Sequence, residues 1–226
     1  MNFQSGKLFV VATPIGNLED ITLRALRVLR EVDFVLAESP QHTKILFQKY
    51  QIKTPLFVYN QHTSEEKIKS IILKIKKGQN VALVSSAGTP GILDPGIRLI
   101  QAALNNKIEV IAIPGPSALV AAASISGINM ARFLFLGFLP NKKGRKKILN
   151  YCKQIPYPVI LYESPYRILK TLKQIQDILG DLNVVVLREI TKKFEERIEG
   201  KISQIISKIK PKGEFVIIIS QKENEK

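Results

Sequence analysis

The chain has 226 residues, 45% of them hydrophobic and 23% charged, a composition typical of a globular protein with a sizeable core and not of a disordered chain. One cysteine and two histidines exclude a disulfide framework and argue against a zinc site, and no apolar run reaches membrane-spanning length. We therefore predict a cytoplasmic protein without metal or membrane segment. The net charge is +15, of which residues 118–226 contribute +10 (20 Lys and Arg against 10 Asp and Glu).

Strand and helix patterns alternate over the first half of the chain. An apolar run at 8–12 is followed by a helical pattern that Asp20 can cap, and a capping box at 63–66 opens another helix that Gly78 closes. Further strands are predicted at 34–37, 56–58, 81–84 and 110–113, and further helices at about 95–105 and 117–126. Short connections between such elements predict a parallel sheet covered on both faces, in one α/β domain of residues 1–115.

The pattern changes in the second half. Strands are predicted at 133–140, 159–162, 184–187 and 215–219, an edge strand or hairpin arm at 194–198, and helices at 144–154, 165–179 (ending at Gly180) and 201–209. We predict a second α/β domain, residues 116–226, built on a mixed sheet with helices on one or both faces.

Three loops rich in glycine, proline and small hydroxyl residues follow predicted strands, at 13–17, 85–91 and 114–118. Such loops bring bare backbone to the mouth of an α/β sheet, where a ligand can reach main-chain N–H groups. The sequence has neither the glycine fingerprint of a dinucleotide site nor that of a P-loop. Small hydroxyls and backbone amides without a phosphate cradle favour an adenosyl group that carries an amino-acid tail.

A cluster of basic residues follows the strand at 133–140. We call it the basic run; it comprises Lys142, Lys143, Arg145, Lys146 and Lys147. Five basic residues within six positions favour contact with nucleic-acid phosphates, and a solvated lysine-rich surface is the alternative.

Several motifs resemble those of the tetrapyrrole methylase superfamily. In chain order they are Thr13–Leu18 with Asp20–Leu26, Ala87–Ile92 with Asp94–Gly96, Pro114–Ala118, Gly137–Pro140 with the basic run, Tyr162–Pro165 with Arg167, Arg188–Glu189 with Thr191–Glu196, and Lys212–Phe215. The match covers nearly the whole chain and is close to the branch that methylates a ribose 2′-hydroxyl of a decoding-region cytidine in 16S rRNA.

The resemblance implies two α/β domains, S-adenosyl-L-methionine (SAM) as cofactor in the cleft between them, the small ribosomal subunit as partner, and a homodimer. The cofactor-binding residues it implies are Pro14, Thr89, Gly91, Ile92, Ser117, Ala118, Leu161, Tyr162, Gly213 and Glu214. For RNA contact we predict the basic run with Arg167, Lys192 and Lys193. No residue is an obvious general base; Glu163, Glu189, Lys142 and Lys193 are candidates by position, and Glu163 and Glu189 can equally be structural partners of Arg167 and Arg188.

The chain departs from the family pattern at three places. Ser39-Pro40-Gln41 stands where the family usually has Asp-Thr-Arg, Ser86 replaces an aspartate, and Tyr166 replaces a histidine. These changes leave three functions open: an rRNA 2′-O-methyltransferase, a methylase of a small acidic tetrapyrrole-type molecule, and a degenerate RNA-binding homologue. The basic run favours an RNA substrate, because a small substrate needs no such surface.

Overall fold

The computed structural model describes residues 5–220, and the chain divides into two compact units, Met1–Ser117 and Ala118–Lys226. Each unit has a five-stranded sheet and its own buried core. For residues 1–115 the resemblance implies the substrate side and part of the SAM site, and for residues 116–226 it implies SAM binding and the basic surface; these roles stay predictions.

The first unit is a parallel sheet with helices on both faces, as predicted. Its strands, in the spatial order β3-β2-β4-β1-β5, are β1 (Leu8–Val11), β2 (Phe34–Ala37), β3 (Leu56–Val58), β4 (Val81–Val84) and β5 (Val110–Ile113). Its helices are α1 (Leu23–Glu31), α2 (Pro40–Lys49), α3 (Glu65–Lys76) and α4 (Ile97–Asn105).

Alternate residues of the central strands enter two different buried clusters. On β4, Ala82 and Val84 pack with α1 and α2, whereas Val81 and Leu83 pack with α3 and α4. Because successive side chains of a strand point to opposite faces, a sheet covered on both faces requires a continuous apolar run. This is the pattern from which the strand was predicted.

Helix α2 is not among the helices predicted from the sequence. In the structure Ser39 is the N-cap and accepts a hydrogen bond from the His42 amide at 3.4 Å, and Pro40 occupies the first helical position. Proline is well tolerated there, because that N–H has no partner within the helix. Two predicted caps were also wrong: Thr22 caps α1 in place of Asp20, and Ser64 alone caps α3, with Lys67 and not a glutamate at its third position.

The second unit has the predicted mixed sheet. Its strands, in the order β6-β7-β10-β8-β9, are β6 (Leu134–Phe138), β7 (Val159–Glu163), β8 (Asn183–Arg188), β9 (Glu196–Lys201) and β10 (Phe215–Ile219). β6 and β7 are parallel, and the other neighbours are antiparallel. Its helices are α5 (Ala118–Ser124), α6 (Arg145–Cys152), α7 (Ile168–Leu179) and the short α8 (Ile202–Ile205), which a 3-10 turn at Ile206–Lys208 extends.

One buried cluster joins helices α6, α7 and α8 to the sheet of the second unit. Leu149 and Cys152 of α6, and Leu172 of α7, are fully buried against strand residues such as Leu161 and Ile217. Burial raises the pKa of the Cys152 thiol. The cluster holds α6, which carries three of the five residues of the basic run, against α7.

Candidate functional site

The loops that follow β1 and β4 are held together by reciprocal backbone hydrogen bonds. The amide of Thr13 donates to the Gly88 carbonyl and the amide of Gly88 donates to the Thr13 carbonyl, both at 2.9 Å. The Thr13 hydroxyl adds a bond of 3.2 Å to the Ser85 carbonyl. Two of the three predicted loops are therefore joined at the carboxyl end of the parallel sheet.

The third loop, after β5, lies against the end of β1. A Cβ atom built on Gly115 would come within 3.1 Å of the Ala12 Cβ atom, so a side chain there would require Ala12 to shift by a few tenths of an ångström. The carbonyl of Pro116 lies 3.9 Å from a Cβ built on Gly88, so all three loops meet within the first unit. Such convergence at strand ends is where α/β folds bind ligands.

Backbone amides on both sides of Gly88 lack a partner within the protein. Within residues 5–220, the amides of Ala87, Thr89 and Gly91 donate to no protein acceptor. Ala87 is exposed, and Ile92 is 52% exposed although it is apolar. Unpaired amides next to an exposed apolar residue can hold a ligand that has both polar and apolar parts.

Sequence reasoning missed a group of acidic and hydroxyl side chains beside this loop. Glu38 follows β2, and its carboxylate accepts hydrogen bonds from the Ser86 hydroxyl at 2.7 Å and the Ser86 amide at 3.3 Å. Partial burial, with the nearby Glu38 charge, raises the pKa of Asp94 to about 6 against the opposing hydrogen bond from Ser85. A carboxyl with such a pKa can exchange protons near neutral pH. The sequence signal that could have identified this group is the position of Glu38 and Ser86, which closely follow two neighbouring strands.

In the second unit, Glu163 ends β7 in a buried ionic cluster. Its Oε1 lies 2.7 Å from the Arg167 guanidinium, and its Oε2 lies 3.4 Å from that of Arg145 and accepts from Thr171 at 2.5 Å. Arg145 also donates to Thr171 and to Gln174. Charged side chains are buried when they are paired in this way.

This cluster corrects two of the predicted roles. Glu163 is 2% exposed and has both carboxylate oxygens paired, so it cannot reach a substrate as a general base. Arg145 is 6% exposed, so its guanidinium neutralises Glu163 and does not contact RNA phosphates. The alternative interpretation of Glu163, as a structural partner of Arg167, describes the observed ion pair.

Glu189 lies in a second ionic group, with Lys192 and Glu214. The Lys192 ammonium lies 2.9 Å from Glu189 and 2.7 Å from Glu214, and the Glu214 amide donates to the Glu189 carboxylate at 3.0 Å. Partial burial alone would raise the pKa of Glu189, but the Glu214 amide and the Lys192 ammonium together hold it below its ordinary value. Burial likewise works to lower the pKa of Lys192, but Glu214 and Glu189 raise it.

These pairings change the roles of Glu189 and Lys192. A carboxylate whose pKa is depressed is a weaker proton acceptor, which argues against Glu189 as the base. The charge of Lys192 is balanced by two carboxylates, so it is not available to a phosphate as predicted. Arg188 forms its ion pair with Glu196 at 2.9 Å, and its charge also contributes to the lowered pKa of Glu189. Lys193 is exposed beside the Phe194 ring.

Position 213 requires a glycine because the Glu189 side chain leaves no room for a Cβ atom there. A Cβ at Gly213 would lie 2.5 Å from the Glu189 Cγ atom, closer than real Cβ contacts come. Glu189 itself has φ +52°, a conformation uncommon for a residue with a side chain. The two predicted cofactor residues at 213–214 therefore lie beside a tightly constrained turn.

The remaining predicted cofactor residues lie at several places in the two units. Pro14 is buried in the loop after β1, and Thr89, Gly91 and Ile92 follow β4. Ser117 precedes α5 and Ala118 begins it, both half-buried.

The two predicted cofactor residues of β7 differ from each other. The Leu161 side chain is fully buried in the core and its strand is paired on both sides, so it cannot contact a ligand as predicted. Tyr162 is half-buried and packs edge-on against the rings of Phe135 and Phe138, with centroid distances of 5.0 and 5.8 Å.

The lysines of the basic run line a cavity of about 670 Å³ in the second unit. Lys142, Lys143, Lys146 and Lys147 are exposed, unlike Arg145. Across the part of the chain that the structure describes, none of the four has a carboxylate within ion-pair distance. They present an uncompensated positive charge that suits a polyanion.

The described residues contain neither a membrane-spanning helix nor a metal-binding cluster of side chains. No helix between residues 5 and 220 has both the length and the hydropathy needed to cross a membrane. No group of three or more His, Cys, Asp or Glu side chains in the same range is placed to hold a metal ion.

Solved structures of other proteins share this fold. Diphthine synthase superposes with a TM-score of 0.76 and 15% identity, covering 96% of this chain and 91% of that one. Uroporphyrin-III C-methyltransferase from Thermus thermophilus, solved in complex with S-adenosyl homocysteine, superposes with a TM-score of 0.68 and 16% identity, covering 96% and 98%. At such identities the likeness establishes the fold.

Sequence comparison establishes the family. Residues 7–206 match the family model for tetrapyrrole (corrin/porphyrin) methylases. A protein of Thermotoga maritima named ribosomal RNA small subunit methyltransferase I is 47% identical over 221 residues, which is 96% of this chain and all of that protein. The chain belongs to the tetrapyrrole methylase family and, within it, to the group of ribosomal RNA small subunit methyltransferase I.

Proposed function

We propose that this chain transfers a methyl group from SAM to the ribose 2′-hydroxyl of a decoding-region cytidine in 16S rRNA, within the small ribosomal subunit. The observation that carries the proposal is the combination of two surfaces in one chain of this family. The first unit has three converging loops with unpaired amides, and the second has four exposed lysines that have no carboxylate partner within residues 5–220.

The loops of the first unit fit the cofactor. The unpaired amides of Ala87, Thr89 and Gly91 can bind the polar groups of an adenosyl ligand, and the exposed side chain of Ile92 offers it an apolar contact. We propose a role in SAM binding for these residues and, as the resemblance implies, for Pro14, Ser117, Ala118, Tyr162, Gly213 and Glu214. When bound, SAM supplies a methyl group on a positively charged sulfur, which is already activated for transfer.

The protein must align the ribose and provide for its proton. Alignment at near-attack distance supplies most of the rate when the leaving group is already activated. Of the four predicted proton acceptors, Lys142 and Lys193 are exposed and stay candidates, whereas Glu163 is enclosed and Glu189 is a weakened base.

The lysine surface also discriminates between the proposed function and a methylase of small acidic tetrapyrroles. A small substrate needs few cationic partners and no extended basic surface. A structured RNA, by contrast, presents several phosphates at once, and each contact adds to the affinity.

We also propose that the protein acts as a cytoplasmic homodimer, as the resemblance implies.

We expect the chain to transfer labelled methyl groups from SAM to 30S subunits that lack the modification. The departures at Ser39 and Ser86 leave the local structure organised, because Ser39 caps α2 and Ser86 binds Glu38. The measurement is incorporation of label into 16S rRNA, followed by mapping of ribose methylation.

The control restores the family pattern with Ser86→Asp, Ser39→Asp, Pro40→Thr and Gln41→Arg. We expect its turnover to be similar to that of the natural chain. Product from the restored variant alone would replace the proposed function with that of a degenerate RNA-binding homologue.

Neutralising Lys142, Lys143, Lys146 and Lys147 to glutamine, with Arg145 retained, is expected to weaken binding to 30S subunits and to flatten its salt dependence. Each phosphate contact that is lost removes roughly 0.7–0.9 from the slope of log K against log salt concentration. Arg145→Gln is excluded from the set because it would disrupt the Glu163 cluster. An unchanged affinity and slope would identify the four lysines as a solvated surface.

A further inference from the structure

We propose that the second unit binds an unpaired segment of RNA, with phosphates on the four exposed lysines of the basic run and one base stacked on Tyr166. The inference rests on the proposed function and adds to it the class of RNA strand and an aromatic contact. Tyr166 lies in the turn between β7 and α7, where the family usually has histidine, and it lines the same cavity as the four lysines.

Tyr166 has the exposure of a binding residue and not of a core residue. Its side chain is 96% exposed, the highest value among the large hydrophobic side chains that are described as exposed. Within residues 5–220 its ring packs on no other aromatic side chain and its hydroxyl has no hydrogen-bond partner. An aromatic ring exposed to water beside a cationic cavity is suited to a flat ligand with phosphates.

The surroundings of the ring carry positive charge on both elements. Lys170, on the first turn of α7, lines the same cavity as the basic run and is exposed, again without a carboxylate in ion-pair distance among the described residues. The volume of about 670 Å³ lies within the range of cavities that enclose a small ligand, so a nucleotide can enter. Phosphates on either side of one base would then meet lysines of α6 and α7.

An unpaired strand fits this arrangement better than a duplex does. In double-stranded RNA each base already stacks on its neighbours, and its face is hidden from an external ring. Unpaired bases can leave the stack and lie on an aromatic side chain, a contact that tolerates any base. The ring of Tyr166 therefore favours a loop or a single-stranded stretch.

The buried Glu163 cluster fixes this surface. Arg167, the next residue after Tyr166, pairs with Glu163 and donates to Asn141 and to the Leu139 carbonyl at 3.1 Å. Arg145 of the basic run pairs with the same carboxylate. Both sides of the cavity are thus attached to one buried group before any ligand arrives, which lowers the entropy lost on binding.

The test measures the affinity of the full chain for a short mixed-sequence oligoribonucleotide, either single-stranded or annealed to its complement. Tyr166→Ala is expected to weaken binding of the single strand at least about fivefold. Its affinity for the duplex and the slope of log K against log salt concentration stay unchanged, because stacking involves no phosphate. Tyr166→Phe keeps the ring and is expected to bind as the natural chain does. Lys170→Gln, in contrast, reduces the slope.

Each outcome separates the inference from the function on which it rests. Equal loss of single-strand and duplex affinity in Tyr166→Ala, or no loss at all, would overturn the stacking contact even if 30S subunits are methylated. Weak binding by Tyr166→Phe would also overturn it, because the ring would then not be the reason. If the natural chain fails to methylate 30S subunits yet shows the expected Tyr166 dependence, the proposed function fails and the RNA contact stands.

Discussion

Replacing Ala118 with tryptophan is expected to abolish SAM binding while the fold remains intact. Ala118 begins α5 directly after the third glycine- and proline-rich loop and is half-buried, so a larger side chain can be placed there without disrupting the core. An indole at this position would occupy space that the proposed cofactor needs. Isothermal titration calorimetry with SAM measures the loss, and circular dichroism checks the fold.

The matched control is Val120→Trp on the same helix. Val120 is 63% exposed, so an indole there adds the same bulk outside the proposed cofactor site. We expect this variant to bind SAM with the affinity of the natural chain. If Ala118→Trp binds equally well, SAM does not lie beside the start of α5.

Replacing Glu163 with glutamine is expected to lower the free energy of unfolding by about 3–5 kcal/mol. The change removes the one negative charge between Arg145 and Arg167, and the Arg145 side chain is only 7% exposed. A buried guanidinium without a carboxylate loses the interaction that compensates its removal from water. Urea denaturation, followed by circular dichroism, gives the difference.

Glu199→Gln is the control, because it removes an ion pair that is exposed and not buried. Glu199 pairs with Arg197 at 2.7 Å, but its side chain is 55% exposed. Exposed pairs contribute about 0–1 kcal/mol, so this variant should unfold almost as the natural chain does. A loss below about 1 kcal/mol in Glu163→Gln would mean that water or other groups compensate the two arginines, contrary to our interpretation of the cluster.

The architecture could be predicted because strands buried on both faces leave a simple pattern. Runs such as Val81–Val84 are apolar throughout, and the glycine-rich loops mark where they end. Helix α2 was harder, because only Thr43, Leu46 and Phe47 are buried on it and its periodicity is correspondingly weak. The pair Ser39-Pro40, an N-cap followed by a proline, was the signal that would have located its start.

The roles of the charged residues could not be predicted to the same degree. Arg145 stands among lysines in the sequence, and nothing local distinguishes it from them. Its burial depends on Glu163 and Thr171, which are 18 and 26 positions away. Spacing along the chain identified the basic run as a surface, but only the packing of α6 on α7 separates its one structural member from the four exposed ones.

The burial of Cys152 makes the protein suited to site-specific labelling. It is the single cysteine of the sequence, its side chain is inaccessible, and its raised pKa keeps the thiol protonated. Alkylating reagents attack exposed thiolates, so we expect them to react very slowly with the native chain. A cysteine introduced at an exposed position then takes up a dye or a crosslinker without prior removal of the natural one. The rate at which Cys152 itself is modified then measures how often α6 separates from the buried cluster.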